Sequence, residues 1–499
     1  MSGAAQPEFA YPVDDEGKAV QFRPFVMLFG IVPVPHCGRR RATSPHMRAF
    51  WAATLAFTLA FIGWFAFAPL LVYVRRDIGI CDNADQVAAN LEDLSVKCQC
   101  GKGGECKRVI TNANVCAVSF DILTRFLMGS VIERFGPARA DCLLLTWGAV
   151  VVACSAAVVS GPGLITARFF VSALGSTFVV NQFWNSIMFN KSVVGTANAT
   201  AGGWGNLGGG LTQILMPLIY MFWHDGFGFS LSTSWRLAML VPATIYVFLA
   251  IWIFFCSQDL PNSPERFTVA ALGKSKRAGP MTYLACLKDY RVMLMIWQYG
   301  ACFGIELVAN TTLALHFSDN FDASPAVAGA CAMTFGAMNL FARSAGGILS
   351  DWMNARWAMS GRLWAHFLAL AGEAVCMFWF GSMTKDHGFV AALVALACFS
   401  CFVNAAEGTS YGIVPYMIPK ELAVVSAMVG AGGTLGAPIC LNIFFRFFDN
   451  FTAYRMVAGY VMFWALTVPL MKWDHLGSMF GGPQLANKGD AAGGGEAAI

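Results

Sequence analysis

Charge is scarce in this chain. Of its 499 residues only 12% are Asp, Glu, Lys or Arg, against roughly 25% in an ordinary soluble domain. A folded chain with so few charges cannot cover itself with polar surface, which argues against a soluble multidomain enzyme. Histidine is scarce too, at seven, and no cluster has metal-ligand spacing. A nucleophile–base set and a phosphate-cradling loop are also missing, so an enzyme, a cofactor and a metal are not expected. The net charge of +4 is spread along the chain, which argues against a nucleic-acid partner. No secretory signal peptide is read: the apolar run Phe25 to Val34 is short and lacks a cleavage site. Asp14, Asp15 and Glu16 are too acidic for a transit peptide.

What is abundant is apolar. The sequence is 57% hydrophobic, with 50 Gly and 42 Phe, and its mean hydropathy is +0.57. Apolar stretches near the roughly 20 residues needed to span a bilayer recur about twelve times. They fall at approximately 50–74, 111–133, 141–160, 164–190, 193–222, 235–256, 291–317, 323–350, 361–383, 388–412, 421–447 and 453–473. The expected fold is an all-α membrane protein with 12 transmembrane helices in two pseudo-symmetric six-helix halves, 46–256 and 291–473. A basic linker, 257–290, joins them, with Pro261, Pro264, Lys274, Lys276, Arg277 and Pro280. An N-terminal segment, 1–45, is broken by Pro12, Pro24, Pro33 and Pro35. The Gly- and Ala-rich tail, 474–499, reads as disordered.

Arginine at the helix ends sets the orientation. Arg39, Arg40, Arg41, Arg48, Arg134, Arg139, Arg356 and Arg362 fall on one side with the linker, so both termini are expected in the cytoplasm. The loop 81–108 is then external. Its Cys81, Cys98, Cys100 and Cys106 suggest up to two disulfides, with three connectivities open. Four free thiols, or a zinc site at Cys98 and Cys100, are the alternatives. Asn450-Phe-Thr452 on the same side is a candidate glycan acceptor.

A duplication carries the functional reading. Arg125, Gly129 and Glu133 in the second helix are spaced i, i+4, i+8, and so are Arg343, Gly347 and Asp351 in the eighth. That spacing keeps three side chains near one helix face. In the fifth and eleventh helices, Gly202-Gly-Trp204-Gly205-Asn206-Leu-Gly208 pairs with Gly430-Ala-Gly-Gly433-Thr434-Leu-Gly436. Duplicated halves place a substrate site between them near the midplane.

Arg125 and Arg343 lie deep in their helices, where a charge costs about 2.5–3.5 kcal/mol on insertion scales. Arginine cannot shed its proton, so each must face a wet cavity, an anion or a buried acid. Two planar guanidiniums facing one cavity form a clamp for a flat oxyanion. The competing reading pairs each with an acid: Asp121, Glu306, Glu373 or Glu407. Asp121 stands four residues before Arg125, whereas no acid flanks Arg343 at that spacing. Asn206 offers a donor and an acceptor toward substrate or a neighbouring helix. Gly205 and Gly433 permit close approach, of ligand or of helix. Phe178, Tyr299 and Phe303 are candidate rings around a planar anion. Gly129, Glu133, Arg134 and Gly136, with Gly347 and Asp351, read as a cytoplasmic latch, or else as a solvated basic loop.

These residues resemble a known family. Gly129-x-x-x-Glu133-Arg134-x-Gly136 resembles the loop motif of the major facilitator superfamily. Ala201 to Gly208 resembles the signature of its nitrate/nitrite porter family, and Val429 to Gly436 looks like a second copy. Tyr299 to Leu307, Gln182-Phe-Trp184 and Phe189-Asn190 are similar to eukaryotic high-affinity nitrate transporters. The resemblance implies the major facilitator fold and uptake of nitrate, often nitrite, by alternating access. It implies Arg125 and Arg343 as the anion-binding pair, lined by Phe178, Tyr299 and Phe303 with Asn206 beside it. It also implies proton symport, a small single-span accessory partner in some members, and the plasma membrane for an importer. Because arginine does not titrate, the proton carrier is sought among Asp121, Glu306, Glu373 and Glu407. A nitrate/nitrite antiporter and a non-transporting nitrate sensor are the alternatives. Thr434 stands where the second signature normally has Asn. Asp121 and the cysteine-rich loop are further departures.

Overall fold

The structure is a computed structural model describing residues 12–22, 45–93, 95–101, 104–190, 193–262, 267–272 and 278–481. Arg39, Arg40, Arg41, Pro24, Pro33, Pro35, Pro264, Lys274, Lys276, Arg277 and the tail beyond 481 lie outside the described residues.

Without water, a backbone must satisfy its own hydrogen bonds, and helices do so within one segment. The described residues accordingly form a helical bundle. In the first half the helices are α1 (Pro45–Asp77), α2 (Glu105–Phe135), α3 (Pro137–Ser155), α4 (Gly161–Met188), α5 (Val194–Phe227) and α6 (Leu231–Cys256). In the second half α7 is Tyr290–Asn320, α8 runs from Pro325 to a break at Trp357 and Ala358, and α9 continues from there to Phe380. The last three are α10 (Phe389–Tyr416), α11 (Leu422–Cys440, prolonged by a π turn over Leu441–Phe445) and α12 (Asn450–Ala465). Ser160, Ser230, Ser324 and Asp449 start α4, α6, α8 and α12 by accepting from backbone N–H groups of the first turn, satisfying donors that a helix leaves free. Large apolar side chains face outward: Phe248 is 68% exposed and Phe255 73%. A bilayer covers such a surface at no cost.

The halves meet along two seams, α2 against α11 and α5 against α8. Glycine makes the second seam close. A Cβ on Gly210 would stand 2.6 Å from the Gly336 Cα, and one on Gly203 2.4 Å from the Asn339 carbonyl oxygen.

Two expectations need correction. The gap expected between 350 and 361 is mostly helix. The chain turns only at Trp357 and Ala358, and Arg362 reaches back to Asp351 at 2.7 Å. The last helix stops at Ala465 instead of 473, because Pro469 lies in the turn that follows. The two disulfides expected in the cysteine loop are present, and of the three connectivities left open the structure has Cys81–Cys98 and Cys100–Cys106. That loop folds around Arg76, whose guanidinium donates to the carbonyls of Asn90, Leu91, Asp93 and Val96.

Candidate functional site

Three helix breaks build the site. In α4, a 3-10 turn over Ser172–Ser176 precedes Phe178. In α7, the helix interrupts between Gly300 and Phe303, with Tyr299 and Phe303 on its two sides. In α8, a 3-10 turn over Met338–Leu340 leads directly into Arg343. Broken helices at the midplane free backbone groups and let side chains converge there. Phe178 lies parallel to Phe303 with ring centroids 5.8 Å apart, and Tyr299 lies parallel to Phe303 at 5.4 Å. Tyr411 closes the cluster edge-on, 5.4 Å from Phe178.

Both arginines reach these rings. The Arg125 guanidinium carbon is 5.1 Å from the Phe178 centroid and 4.7 Å from that of Phe303. The Arg343 carbon is 5.4 Å from the same Phe178 centroid. Guanidinium over a ring face is attractive, and more so once desolvated. Arg125 is fully buried and Arg343 1% exposed, so the chamber expected between them is closed in this conformation.

Each guanidinium also has a carboxylate. Arg125 Nε is 2.5 Å from Asp121 Oδ2, one turn earlier on α2. Asp121 accepts in addition from Thr434 Oγ1 at 2.7 Å and Ser176 Oγ at 3.3 Å. The two single-residue departures from the family pattern, Asp121 and Thr434, are therefore hydrogen-bonded to each other. Gly175 permits this packing: its Cβ would stand 2.6 Å from Asp121 Oδ1. Arg343 is paired with Glu407 of α10 and donates from Nη2 to the Tyr299 hydroxyl at 3.0 Å. Asn206 Nδ2 donates to Glu306 Oε2 at 2.7 Å and to Glu407 Oε2 at 3.3 Å. Asn339 Nδ2 donates to Glu306 Oε1 at 2.8 Å. Asn206 is thus a bridge between acids, not a free ligand. Glu373 is buried within electrostatic reach of Glu407, and its oxygens have no hydrogen-bond partner among the described residues. Arg125 Nη2 likewise has none there, leaving one guanidinium donor uncommitted beside the rings.

The signature glycines divide by what they face. Gly433 meets the site: a Cβ there would lie 2.5 Å from Tyr299 and 3.0 Å from Phe303. Gly205 does not. Its Cβ would strike the Phe57 ring of α1 at 1.7 Å, so its role is helix packing. Gly202 takes the place expected of Gly205, since a Cβ there would stand 3.0 Å from Arg343 Nε.

A sequence profile of the Major Facilitator Superfamily matches residues 53–441. The chain is 33% identical over 482 residues to high affinity nitrate transporter 2.5 of Arabidopsis thaliana, covering 96% of this chain and 87% of that one. It is 33% identical over 444 residues to nitrate transporter 2.1 of Chlamydomonas reinhardtii, covering 89% and 73%. The chain belongs to the nitrate/nitrite porter family of the major facilitator superfamily. Among solved structures, a D-xylose–proton symporter superposes with a TM-score of 0.59 at 14% identity, covering 87% of this chain and 99% of that one. At that identity the likeness speaks for the fold alone. The chain is therefore a multi-pass membrane transporter and not an enzyme.

The loop motif of this porter is built into the protein. Glu133 is buried and accepts the Ala278 N–H of the linker at 2.8 Å, so it is not part of a solvated loop. Gly136 has φ +84°, and a Cβ there would hit Asp259 Oδ2 at 2.3 Å. Asp259 in turn accepts the Ala138 N–H that opens α3. Arg134 lies over the Phe135 ring. Gly129 is buried in α2, and Gly347 faces Ala199 of α5, 3.1 Å from its would-be Cβ. Asp351 pairs with Arg362. Phe189 and Asn190 stand away from the arginines: Asn190 donates to Asp14 at 2.6 Å and Phe189 packs on Phe22.

At the other end, Lys97 of the cysteine loop binds Asp322 at 3.2 Å, and Lys385 binds the same carboxylate. Lys385 and Lys97 hold the Asp322 carboxyl below the usual aspartate range. Arg75 adds a contact to Asp319 at 3.7 Å. These bridges tie the halves together outside the apolar zone. Sequence reasoning missed Ser176, Asn339, Tyr411 and Gly202 at the site. It also missed the buried Arg168, which donates to Asn114 at 2.6 Å. A serine, an asparagine or a tyrosine is ordinary inside a span until a tertiary contact assigns it.

Proposed function

We propose that this porter imports nitrate, and nitrite as a second substrate, by alternating access of its two halves. The anion lies between Arg125 and Arg343 against Phe178, with Tyr299 and Phe303 beside it. The observation that carries this reading is the convergence of two equivalently placed guanidiniums on one aromatic ring, with Arg125 Nη2 uncommitted. A buried donor without an acceptor costs about 1–3 kcal/mol, and a flat oxyanion supplies the acceptor. The names of the relatives support nitrate as the substrate.

Uptake is coupled to protons. Two guanidiniums already balanced by Asp121 and Glu407 have no net charge to offer a monoanion, and a proton restores the balance. The plasma membrane, with both termini and the linker in the cytoplasm, suits an importer whose basic helix ends face inward. The test is labelled-nitrate uptake and nitrate-evoked current in oocytes across external pH. Uptake that rises as external pH falls supports the proposal. Uptake indifferent to pH and voltage overturns the coupling, and the absence of uptake and counterflow overturns the substrate.

A further inference from the structure

Four carboxyls are buried around the arginine pair, and their surroundings differ. Asp121 is held by Arg125, Thr434 and Ser176. It meets the charge of Arg125 one to one, acid for guanidinium. Glu373 touches no guanidinium among the described residues; it stands near Cys302 and Cys440. Glu306 and Glu407 share one cation. Arg343 contacts Glu407 directly and lies within electrostatic reach of Glu306, and Asn206 bridges the two carboxyls with a single amide nitrogen. Glu407 Oε1 and Asn206 Oδ1 have no partner among the described residues. The other titratable groups facing this pair are Tyr299 and Cys302 of α7, Glu373 of α9 and Tyr411 of α10.

Charge balance distinguishes the pair from the other two acids. One guanidinium in the bilayer interior neutralises one carboxylate, and an unpaired charge there is costly. With Arg343 between them, Glu306 and Glu407 together hold one proton when the site is empty. A monoanion that reaches Arg343 adds one negative charge, and Glu407 occupies the position it needs. Resting on the nitrate reading above, we infer that Glu306 and Glu407 are the proton-carrying pair of the transport cycle. Glu407 releases Arg343 to the anion when a second proton joins the pair. That proton enters from the side the anion enters and leaves with it, so each monoanion carries one proton through this pair. Asn206 is the positioning residue that keeps the two carboxyls together.

The experiment is nitrate binding to the purified full-length protein as a function of pH, read by calorimetry and by a pH indicator in weak buffer. For wild type, linkage of one proton to one anion makes Kd rise about tenfold per pH unit on the alkaline limb, and nitrate addition removes one proton per site from solution. The double variant Glu306→Gln/Glu407→Gln flattens that slope and abolishes the proton uptake, while either single glutamine variant, which keeps one ionisable carboxyl for Arg343, retains both, as does Glu407→Asp. Wild-type nitrate binding with no proton uptake overturns the inference whatever the variants do. So does a double glutamine variant that retains the wild-type slope. Wild type that binds no nitrate overturns the substrate reading beneath it. If the double variant does not fold, the wild-type proton uptake decides alone.

Discussion

Replacing Asp121 with Asn removes the counter-charge of Arg125 and keeps the shape of the side chain. Thr434 donates to one carboxylate oxygen and Ser176 to the other, so one of them still finds the amide oxygen and the other meets the amide nitrogen. Removing one partner of a buried ion pair typically costs about 3–5 kcal/mol, because the other charge is left uncompensated. The Asp121→Asn protein is therefore less stable than wild type without ligand. An anion at Arg125 then replaces the lost charge. A unit charge at about 4 Å contributes about 4 kcal/mol at an effective dielectric near 20, before desolvation. If about a third of that survives, nitrate affinity rises about tenfold. Nitrate at about a hundred times its Kd returns about 2.7 kcal/mol of stability. The assay is thermal unfolding of the detergent-purified protein across a nitrate titration. The expected result is a lower Tm for the variant without nitrate and a steeper rise with it, at lower nitrate concentrations than wild type. A variant that is unchanged in stability, or binds nitrate more weakly while remaining folded, refutes the claim that Asp121 stands where an anion's charge would.

Gly433→Ala places a methyl 2.5 Å from the Tyr299 ring, and overpacking of that size costs about 1–3 kcal/mol. Tyr299 moves, its hydroxyl leaves Arg343, and uptake falls while surface expression measured by labelling persists. Asp322 makes a different prediction because its carboxyl is held below the ordinary range by Lys385 and Lys97. Its stabilising contribution is complete above the unfolded aspartate pKa of about 3.9 and is lost only as pH falls through the lowered value. Asp322→Asn should therefore leave the shape of the uptake profile between about pH 5 and 8 unaltered; a changed shape would place a titrating group at the outer bridge. That bridge joins exposed side chains, so raised salt weakens it in wild type.

Much of this was written in the sequence, and the rest was not, for a physical reason. Spans are local: about 20 apolar residues declare a helix whatever surrounds them. The matched triplets Arg125-Gly129-Glu133 and Arg343-Gly347-Asp351 are local too, and they located the two cations. What a cation touches is not local. Asp121 could be named for Arg125 because it is one turn away. Glu407 could not be singled out for Arg343, because α10 brings it from 64 residues further on. For the same reason Gly205 was left open between ligand and helix, and Gly202 was overlooked. Neighbouring glycines on a helix point in different directions, and only the packing of Phe57 and Arg343 against α5 tells them apart. The break expected between 350 and 361 was drawn too long, because the polar residues there are compatible with a loop and with a helix end, and the chain leaves the helix only at Trp357 and Ala358.

The most direct test of the account is labelled-nitrate uptake by wild type, Arg125→Lys and Arg343→Lys at matched surface expression. Lysine keeps the positive charge and loses the planar fork of donors. The account predicts that both variants reach the membrane and take up nitrate at the background of uninjected cells. Uptake at the wild-type rate by either one would contradict it, since a clamp of two guanidiniums could not then be what holds the anion.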